Sequence, residues 1–256
     1  MIDEFFTPFF SGIFLENRLE TSSRMFEFVY KMFGEGNAAL PKSGIGEIPK
    51  QLLQNLKDTA INFKTEVILV KDDEIWLSNN EKLKSHFTIV ATEPNKLIPN
   101  LKNQSIGWRT CDTIYFETDN RVIKKPLIGL ITESRTLINN IFYHTSLETT
   151  SKSNKELLSV TVVDNQGLPF DRFIARIQRE LKEHCGIDNC RFIKHYNIPM
   201  SLPKLNYLKY EMSPLETRFS SSIFLAGDTQ LNASLNAAII SGERAAQGVI
   251  EAILNS

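Results

Sequence analysis

The sequence is poor in glycine, and none of its 12 glycines completes a common phosphate-binding loop. A dinucleotide-binding G-x-G-x-x-G needs a third glycine five residues after the first. Ala39 stands at that place after the Gly34–Gly36 pair, and Pro49 stands there after the Gly44–Gly46 pair. No G-x-x-x-x-G-K-[ST] segment occurs either. The sequence therefore excludes both standard loops that hold nucleotide phosphates.

Cysteine, excess charge and long apolar runs are also lacking. The three cysteines, Cys111, Cys185 and Cys190, are an odd number without a disulfide spacing, which predicts free thiols in a reducing compartment such as the cytoplasm. The net charge of −1 creates no field that would attract nucleic acid or an anionic membrane. No apolar run approaches the ~20 residues of a membrane-spanning helix. The apolar N-terminus contains Asp3 and Glu4 and lacks a basic start, so no secretory leader is predicted.

What is present is an ordinary globular composition, with 256 residues, 42% hydrophobic and 23% charged. Helical spacing predicts helices at 22–33, from 48 onward and at 171–185. In the last of these, the predicted buried face is formed by Phe173, Ile174, Ile177 and Leu181. Alternation and β-branched residues predict an antiparallel meander of three strands at 65–70, 74–78 and 85–91. Residues 108–163 continue the β pattern and contain a polar linker at 148–155.

The last 36 residues are the most informative about chemistry. A short apolar strand, SSIFLAGDT, ends in Gly227 and Asp228, and a helix rich in alanine and other small residues follows. An acid at the carboxyl end of a strand can accept hydrogen bonds from ligand hydroxyls, and a helix N-terminus favours electron-rich groups. The same spacing also fits a simple turn, a helix cap and ordinary close packing, and it does not decide between these alternatives.

This segment resembles the C-terminal flavin-binding motif of the phytoene desaturase and flavin-containing amine oxidase superfamily. In that motif a strand ending in A-G-D leads to a helix reading S-L-x-G-A-x-x-S-G-x-x-A-A. The chain has A-G-D at 226–228, S-L-N-A-A at 234–238, S-G at 241–242 and A-A at 245–246. Four further blocks resemble the desaturase-like branch in the same order: PFFSGIFLEN, ALPKSGIGEIPKQL, INNIFYHTS and YNIPMSLPKLNY.

The resemblance implies an FAD cofactor and a role for each matching position. Asp228, after Gly227, would hydrogen-bond the ribityl chain or pyrophosphate of FAD. The backbone of Ser234, Leu235 and Asn236 would face the pyrimidine end of the flavin, where negative charge develops on reduction. The remaining matches are Val67, whose backbone would contact the adenine, and Gly44 and Gly46, in a loop close to the flavin.

The sequence departs from the family pattern in two ways. In the segment where the family usually has glycine, Asn236 would either add an amide donor toward the flavin ring or crowd it. The family's N-terminal β-α-β unit with G-x-G-x-x-G, which grips the ADP part of FAD, has no counterpart. The resemblance implies that about 100–200 residues, one domain's worth, are missing from this chain.

By resemblance, the fold class is α+β, an α/β flavoprotein with a partial FAD-binding domain that includes the meander. We expect residues 37–95 and 206–256 to form that domain, interleaved with a mixed-sheet substrate domain at 1–36 and 96–205. The expected function is an FAD-dependent oxidoreductase that abstracts hydride from C–C or C–N bonds of an apolar small molecule. The expected partner is a separate N-terminal dinucleotide-binding half. An apolar substrate leaves peripheral membrane contact open, and a non-catalytic remnant or interaction module that binds no FAD is the alternative.

Two other groups of residues have competing interpretations. His184, Cys185, Cys190 and His195 include zinc-ligand residue types. In a regular strand, Cys190 and His195 would point to opposite faces, which argues against a metal site. Tyr196, Tyr207 and Tyr210 could line a substrate channel, but a buried aromatic core is the favoured interpretation. No catalytic residue, including a lysine of the amine oxidase type, can be assigned from the sequence.

Overall fold

The computed structural model of the protein describes residues 1–101, 106–133, 135–148 and 154–255. The chain forms two compact units, each built from two separate stretches. The first unit comprises Met1–Lys57 and Trp108–Leu202, and the second comprises Asp58–Gly107 and Pro203–Ser256. Residues 37–57, expected in the FAD-binding part, cluster with the first unit, and the functional roles of the two units stay predictions. Residues 149–153 of the predicted linker lie outside the described residues.

Among its described residues, the first unit contains a five-stranded sheet, a π-helix (Ile2–Phe6) and four α-helices. The strands are β5 (Gly107–Thr118), β6 (Gly129–Leu130), β7 (Ile138–Tyr143), β8 (Glu156–Val162) and β9 (Cys190–Lys204). Their order in the sheet is β6-β7-β8-β5-β9, and β6–β7, β7–β8 and β8–β5 pair antiparallel. The helices are α1 (Thr7–Phe14), α2 (Ser23–Glu35), α3 (Glu47–Gln54) and α5 (Phe170–Cys185).

Helix α5 covers one face of this sheet and builds the core of the first unit. The predicted face is confirmed, since Ile177 and Leu181 are completely buried against strand residues such as Ile114 and Val160. Gly186 ends the helix in the left-handed conformation at φ +67°, which glycine adopts without a Cβ clash. The 3.6-residue spacing thus places this helix correctly because its apolar stripe can be buried only against the sheet.

The opposite face of the sheet carries an aromatic cluster formed by Tyr115, Phe142, His144 and Tyr196. The rings of Tyr115 and Tyr196 meet edge to face at 6.0 Å, and those of Phe142 and His144 do so at 5.2 Å. Tyr196 remains 51% exposed. The interpretation of the tyrosines as buried core is wrong, because Tyr207 and Tyr210 in the second unit are also exposed. Tyr207 and Tyr210 lie in the loop after β9, whereas Tyr196 lies within that strand.

The half-buried imidazole of His144 predicts a pH dependence of folding stability. Burial disfavours the imidazolium and lowers the pKa of His144 below its ordinary value. The unfolded chain therefore binds more protons in the window between the folded pKa and about 6.5. Stability should fall as the pH drops through that window, and this contribution should be constant above it.

Urea unfolding of the wild type and of His144→Gln between pH 7.5 and pH 5.5 measures this contribution. Glutamine can still reach Ser159, whose Oγ lies 3.0 Å from His144 Nε2. The wild type should lose more stability over this range than the variant. Equal losses would show that His144 does not titrate as burial implies.

The second unit contains two small sheets and two helices. Its elements are β1 (Val67–Val70), β2 (Glu74–Leu77), β3 (Lys82–Lys84), β4 (Thr88–Val90), α4 (Pro94–Leu97), β10 (Ile223–Leu225) and α6 (Leu235–Leu254). Strands β1, β2 and β3 form the antiparallel meander. The predicted third strand is wrong, because β4 leaves the meander and pairs parallel with β10. Its partner is about 130 residues away in sequence, so local pattern could not identify it.

Among the described residues, no helix combines the length and the apolar character that crossing a bilayer requires.

Candidate functional site

The candidate site lies where the parallel strands β4 and β10 end. The amide of Ala226 donates to the carbonyl of Val90 at 3.0 Å, which holds the two strand ends side by side. Both strands therefore deliver their following loops to one edge, and ligands of parallel α/β sheets bind at such carboxyl edges. The loop after β10 contains Gly227 and Asp228 and leads directly to helix α6.

Gly227 adopts a backbone conformation that favours glycine strongly. Its dihedral angles of φ +128° and ψ 165° lie in a region that is essentially restricted to glycine. The Ser241 hydroxyl accepts a hydrogen bond from the Gly227 amide at 2.8 Å, and its oxygen lies 2.9 Å from the Gly227 carbonyl oxygen. Ser241 is completely buried, so a side chain of helix α6 holds the backbone of this turn in place. The position of the backbone immediately before Asp228 is therefore fixed by α6.

Asp228 presents a carboxylate without a partner among the described residues. Its backbone carbonyl accepts hydrogen bonds from the Leu231 and Ala233 amides at 3.2 and 3.0 Å, which fixes a short 3₁₀ turn over Asp228–Gln230. The side chain is half-buried, and it forms no hydrogen bond or ion pair with the other described residues. Asp228 therefore caps no helix, and its carboxylate is available to hydroxyl or amide donors of a ligand.

The N-terminus of α6 is built to leave two amides available. Ser234 is the N-cap, and its Oγ accepts from the Ala237 amide at 3.0 Å. The buried Asn232 lies 2.6 Å from that hydroxyl through its Oδ1 and orients it. The amides of Leu235 and Asn236 have no acceptor among the described residues, as expected in the first turn of a helix. Both side chains are exposed, so this helix end faces outward within its unit.

The other predicted residues lie elsewhere. Val67 lies in β1 of the second unit. It pairs with Leu77 of β2 and packs beside the buried Val70. Gly44 and Gly46 belong to the first unit, in the exposed loop before α3. Gly44 has a φ of +99°, and its carbonyl accepts from the Glu47 amide at 3.1 Å. Their contribution to a flavin site stays a prediction.

Sequence reasoning gave no role to three residues that shape this edge. Ser241 fixes the Gly227 turn, and the motif match at 241–242 was its indication in the sequence. Asn232 orients the N-cap of α6, and only its position just before that helix could have indicated it. Glu93, three residues after β4, has its Oε2 2.8 Å from Lys96 Nζ. Its other oxygen, Oε1, is buried and has no partner among the described residues. Glu93, in the loop that follows β4, is thus the second carboxylate at this edge, beside Asp228 in the loop that follows β10.

The reasoning against zinc used a strand geometry that the structure does not keep. Cys190 packs against the core under α5, and His195 Nε2 lies 2.6 Å from Asp112 Oδ1 on that same face of the sheet. The regular alternation of faces therefore fails between residues 190 and 195. Within the described part of the chain, no group of three histidine, cysteine or acidic side chains is placed to hold a metal ion.

The chain is similar to known proteins both in sequence and in fold. A family model described as flavin containing amine oxidoreductase matches residues 1–250. No curated protein matches the chain significantly. Among solved structures, an oxidoreductase from Methanosarcina mazei has a TM-score of 0.70 at 14% identity, covering 96% of this chain and 65% of that one. A putative protoporphyrinogen oxidase from Exiguobacterium sp. 255-15 has a TM-score of 0.59 at 12% identity, covering 81% and 51%.

A further similar structure is putrescine oxidase bound to putrescine, with a TM-score of 0.55 at 11% identity, covering 81% of this chain and 53% of that one. At these identities the structures show the fold alone, and the chain spans between half and two thirds of their length. The α+β flavoprotein fold and the resemblance found in the sequence are both confirmed. The match to the family model over nearly the whole sequence shows that this chain belongs to the flavin containing amine oxidoreductase family.

Proposed function

We propose that the chain supplies the flavin-facing part of an FAD-dependent oxidoreductase that abstracts hydride from C–C or C–N bonds of an apolar substrate. The observation that carries this proposal is the unpartnered Asp228 carboxylate beside the open N-terminus of α6. A carboxylate that only capped a helix would already have its donors. Among the described residues no donor reaches the Asp228 side chain, while the Gly227 amide and the Asp228 carbonyl on either side of the turn are both hydrogen-bonded.

The residues at this edge fit FAD by their chemistry. Asp228 can accept hydrogen bonds from ribityl hydroxyls, and the amides of Leu235 and Asn236 can donate to an electron-rich carbonyl or an anionic group. When bound, FAD would supply the hydride-accepting chemistry, which no side chain of the protein provides. The protein's task is then to hold the cofactor and to stabilise negative charge with the α6 amides.

An aromatic surface on the first unit is the reason for proposing an apolar substrate. The aromatic cluster of Tyr115, Phe142, His144 and Tyr196 forms a surface of ring edges and faces on the sheet face opposite α5. Burial raises the pKa of Tyr115 and lowers that of His144, so both side chains are neutral at pH 7. A neutral aromatic surface suits a substrate that buries carbon rather than charge.

The sequence contains neither G-x-G-x-x-G nor G-x-x-x-x-G-K-[ST], so we propose that the ADP part of FAD is held by a separate dinucleotide-binding half. The probe for this half is the remainder of the Methanosarcina mazei oxidoreductase outside the matched region, produced as its own polypeptide. After incubation with FAD and gel filtration, the protein fraction of the purified chain is expected to show no flavin absorbance. The protein fraction of the mixture with the probe should be yellow. A mixture that takes up no flavin would favour a non-catalytic interaction module.

Asp228→Ala should weaken FAD binding in that mixture about tenfold to hundredfold. Hydrogen bonds to a charged acceptor contribute roughly 1.5–3 kcal/mol, and 1.4 kcal/mol corresponds to a tenfold change. Flavin fluorescence quenching measures the affinity. Asp73→Ala, at an exposed aspartate of the same unit, is the matched control and should leave the affinity unchanged. Equal affinity of the Asp228 variant and wild type would remove Asp228 from the site.

A further inference from the structure

A cavity of about 330 Å³ lies in the first unit, between helix α1 and the loops before β7 and after β8. This volume is typical of small-molecule sites. Ser11 of α1 lines one wall, and side chains of the two loops line the others. The cavity touches the first residues of β7, whereas the aromatic cluster contains Phe142 near the other end of that strand. The cavity is therefore a different place from the aromatic surface proposed for the apolar substrate.

Ser11 is a buried polar residue that faces this cavity. The residue is only 5% exposed, and its hydroxyl has no hydrogen-bond partner among the described residues. Helix α1 is held tightly at this place, because a Cβ at Gly12 would collide with Asn139 Oδ1, and Asn139 Nδ2 donates to the Pro8 carbonyl at 3.0 Å. A buried hydroxyl without a partner is costly, so Ser11 indicates that a polar group of a ligand completes the cavity.

Two side chains of α5 hold the loops that form the other walls. Arg176 donates to Gln166 Oε1 at 3.0 Å after β8 and to the Arg135 carbonyl at 2.6 Å before β7. The Arg176 Nε also donates to Glu180 Oε1 at 2.9 Å. Glu180 is buried, and its Oε2 accepts from the Leu137 amide at 2.8 Å. Both loops are thus fixed to one helix, and a pre-formed cavity lowers the entropic cost of binding.

The charged groups around the cavity favour a cation. Asp3, Glu133 and Asp164 contribute three carboxylates, and Arg135 contributes the one positive side chain among the described lining residues. None of the three carboxylates forms an ion pair with another described residue. The lining also contains hydroxyl and amide side chains, such as that of Thr7, which can bond hydroxyl groups of a ligand.

We infer that this cavity binds a small organic cation that also carries hydroxyl groups, of the chemical class of the amino sugars. The Ser11 hydroxyl bonds a hydroxyl group of the ligand, and the carboxylates attract its ammonium group. An uncharged sugar fits less well, because it gains nothing from the excess of negative charge, and an anion is repelled. The site goes beyond the proposed function, since it requires neither flavin nor a second polypeptide.

Isothermal titration calorimetry of the full chain with glucosamine tests this site, and glucose is the matched uncharged probe. At a pH at which the amino group of glucosamine is protonated, glucosamine should bind saturably, and glucose should bind about tenfold more weakly. Added salt should weaken the binding of glucosamine, because it screens the attraction between the ammonium group and the carboxylates. Equal binding of the two sugars, or no binding of glucosamine, would overturn the inference.

Two variants locate the bound sugar. Ser11→Ala should weaken the binding of glucosamine about threefold to tenfold through the lost hydrogen bond. Asp164→Asn should weaken it by a similar factor through the lost charge, while asparagine keeps the oxygen that accepts from the Gln166 amide at 2.8 Å. The controls are Ser23→Ala and Asp188→Asn, at exposed residues of the same unit, and they should leave the affinity unchanged.

Unchanged affinity of both the Ser11 and the Asp164 variant would place glucosamine outside this cavity and overturn the inference. If Ser11→Ala loses its circular dichroism, the exposed Asp164 position decides alone. Because no flavin is added, these results do not depend on the outcome for Asp228.

Discussion

Asp112→Ala is expected to lower the free energy of unfolding of the first unit by about 3–5 kcal/mol. The carboxylate is only 3% exposed and has three partners from two other segments of the unit. Oδ1 lies 2.6 Å from His195 Nε2 and accepts from the Asn197 amide group at 3.0 Å, and Oδ2 accepts from the Asn165 amide group at 3.0 Å. Alanine would leave these donors without their acceptor in a site lined by Phe170 and Phe173. The donors themselves are half-buried or exposed, so the large cost comes from the lost hydrogen bonds to a charged acceptor, each of which contributes about 1.5–3 kcal/mol.

Each unit contains one of the two tryptophans, which makes the measurement possible. Trp108 lies in the first unit and Trp76 in the second. In a Trp76→Phe background, fluorescence during urea unfolding therefore reports the first unit. Asp171→Ala, at an exposed aspartate in the first turn of α5, is the control and should cost less than about 1 kcal/mol. Similar losses of unfolding free energy for Asp112→Ala and Asp171→Ala would show that the hydrogen bonds of Asp112 do not stabilise the fold.

Phe224→Ala is expected to destabilise the second unit by about 3–5 kcal/mol. Phe224 lies on β10 and packs against Ala245, and Gly248 of helix α6 lies beside its ring. Removing the ring leaves a cavity between β10 and α6, and both elements hold the Gly227–Asp228 turn. Trp76 fluorescence in a Trp108→Phe background measures the loss. A loss below about 1 kcal/mol would show that this packing is loose.

Gly248 sharpens this prediction through a double-mutant cycle. A Cβ at Gly248 would lie 2.9 Å from Phe224 Cε1, 3.1 Å from Cδ1 and 2.9 Å from the Pro214 carbonyl oxygen. Gly248→Ala should therefore cost about 1–3 kcal/mol in the wild type and less in the Phe224→Ala background. Gly242→Ala in the same helix meets nothing within 4 Å and should stabilise by up to about 1 kcal/mol. Additive effects of the first two changes would contradict the contact.

Predictability from sequence differs between elements for a physical reason. Helix α5 is correctly placed with its buried face, since the helical period continues over 16 residues up to the terminal Gly186. The third meander strand is wrong because β3, with its two lysines, shows no apolar alternation. Strand β4 has only three residues, and its parallel partner is distant in sequence. Periodicity identifies an element when burial is local to that element, and it fails when pairing is set by distant segments.

The candidate site shows the same division. The sequence by itself determined that a strand ending in Gly227 and Asp228 precedes a small-residue helix, and the motif pointed to the flavin family. Only the tertiary structure decided, for the residues it describes, that Ser241 fixes the turn, that Asp228 has no hydrogen-bond donor and that β4 lies beside β10. The reason is that a motif records residues close in sequence, whereas hydrogen-bond partners and strand pairing depend on residues that folding brings together.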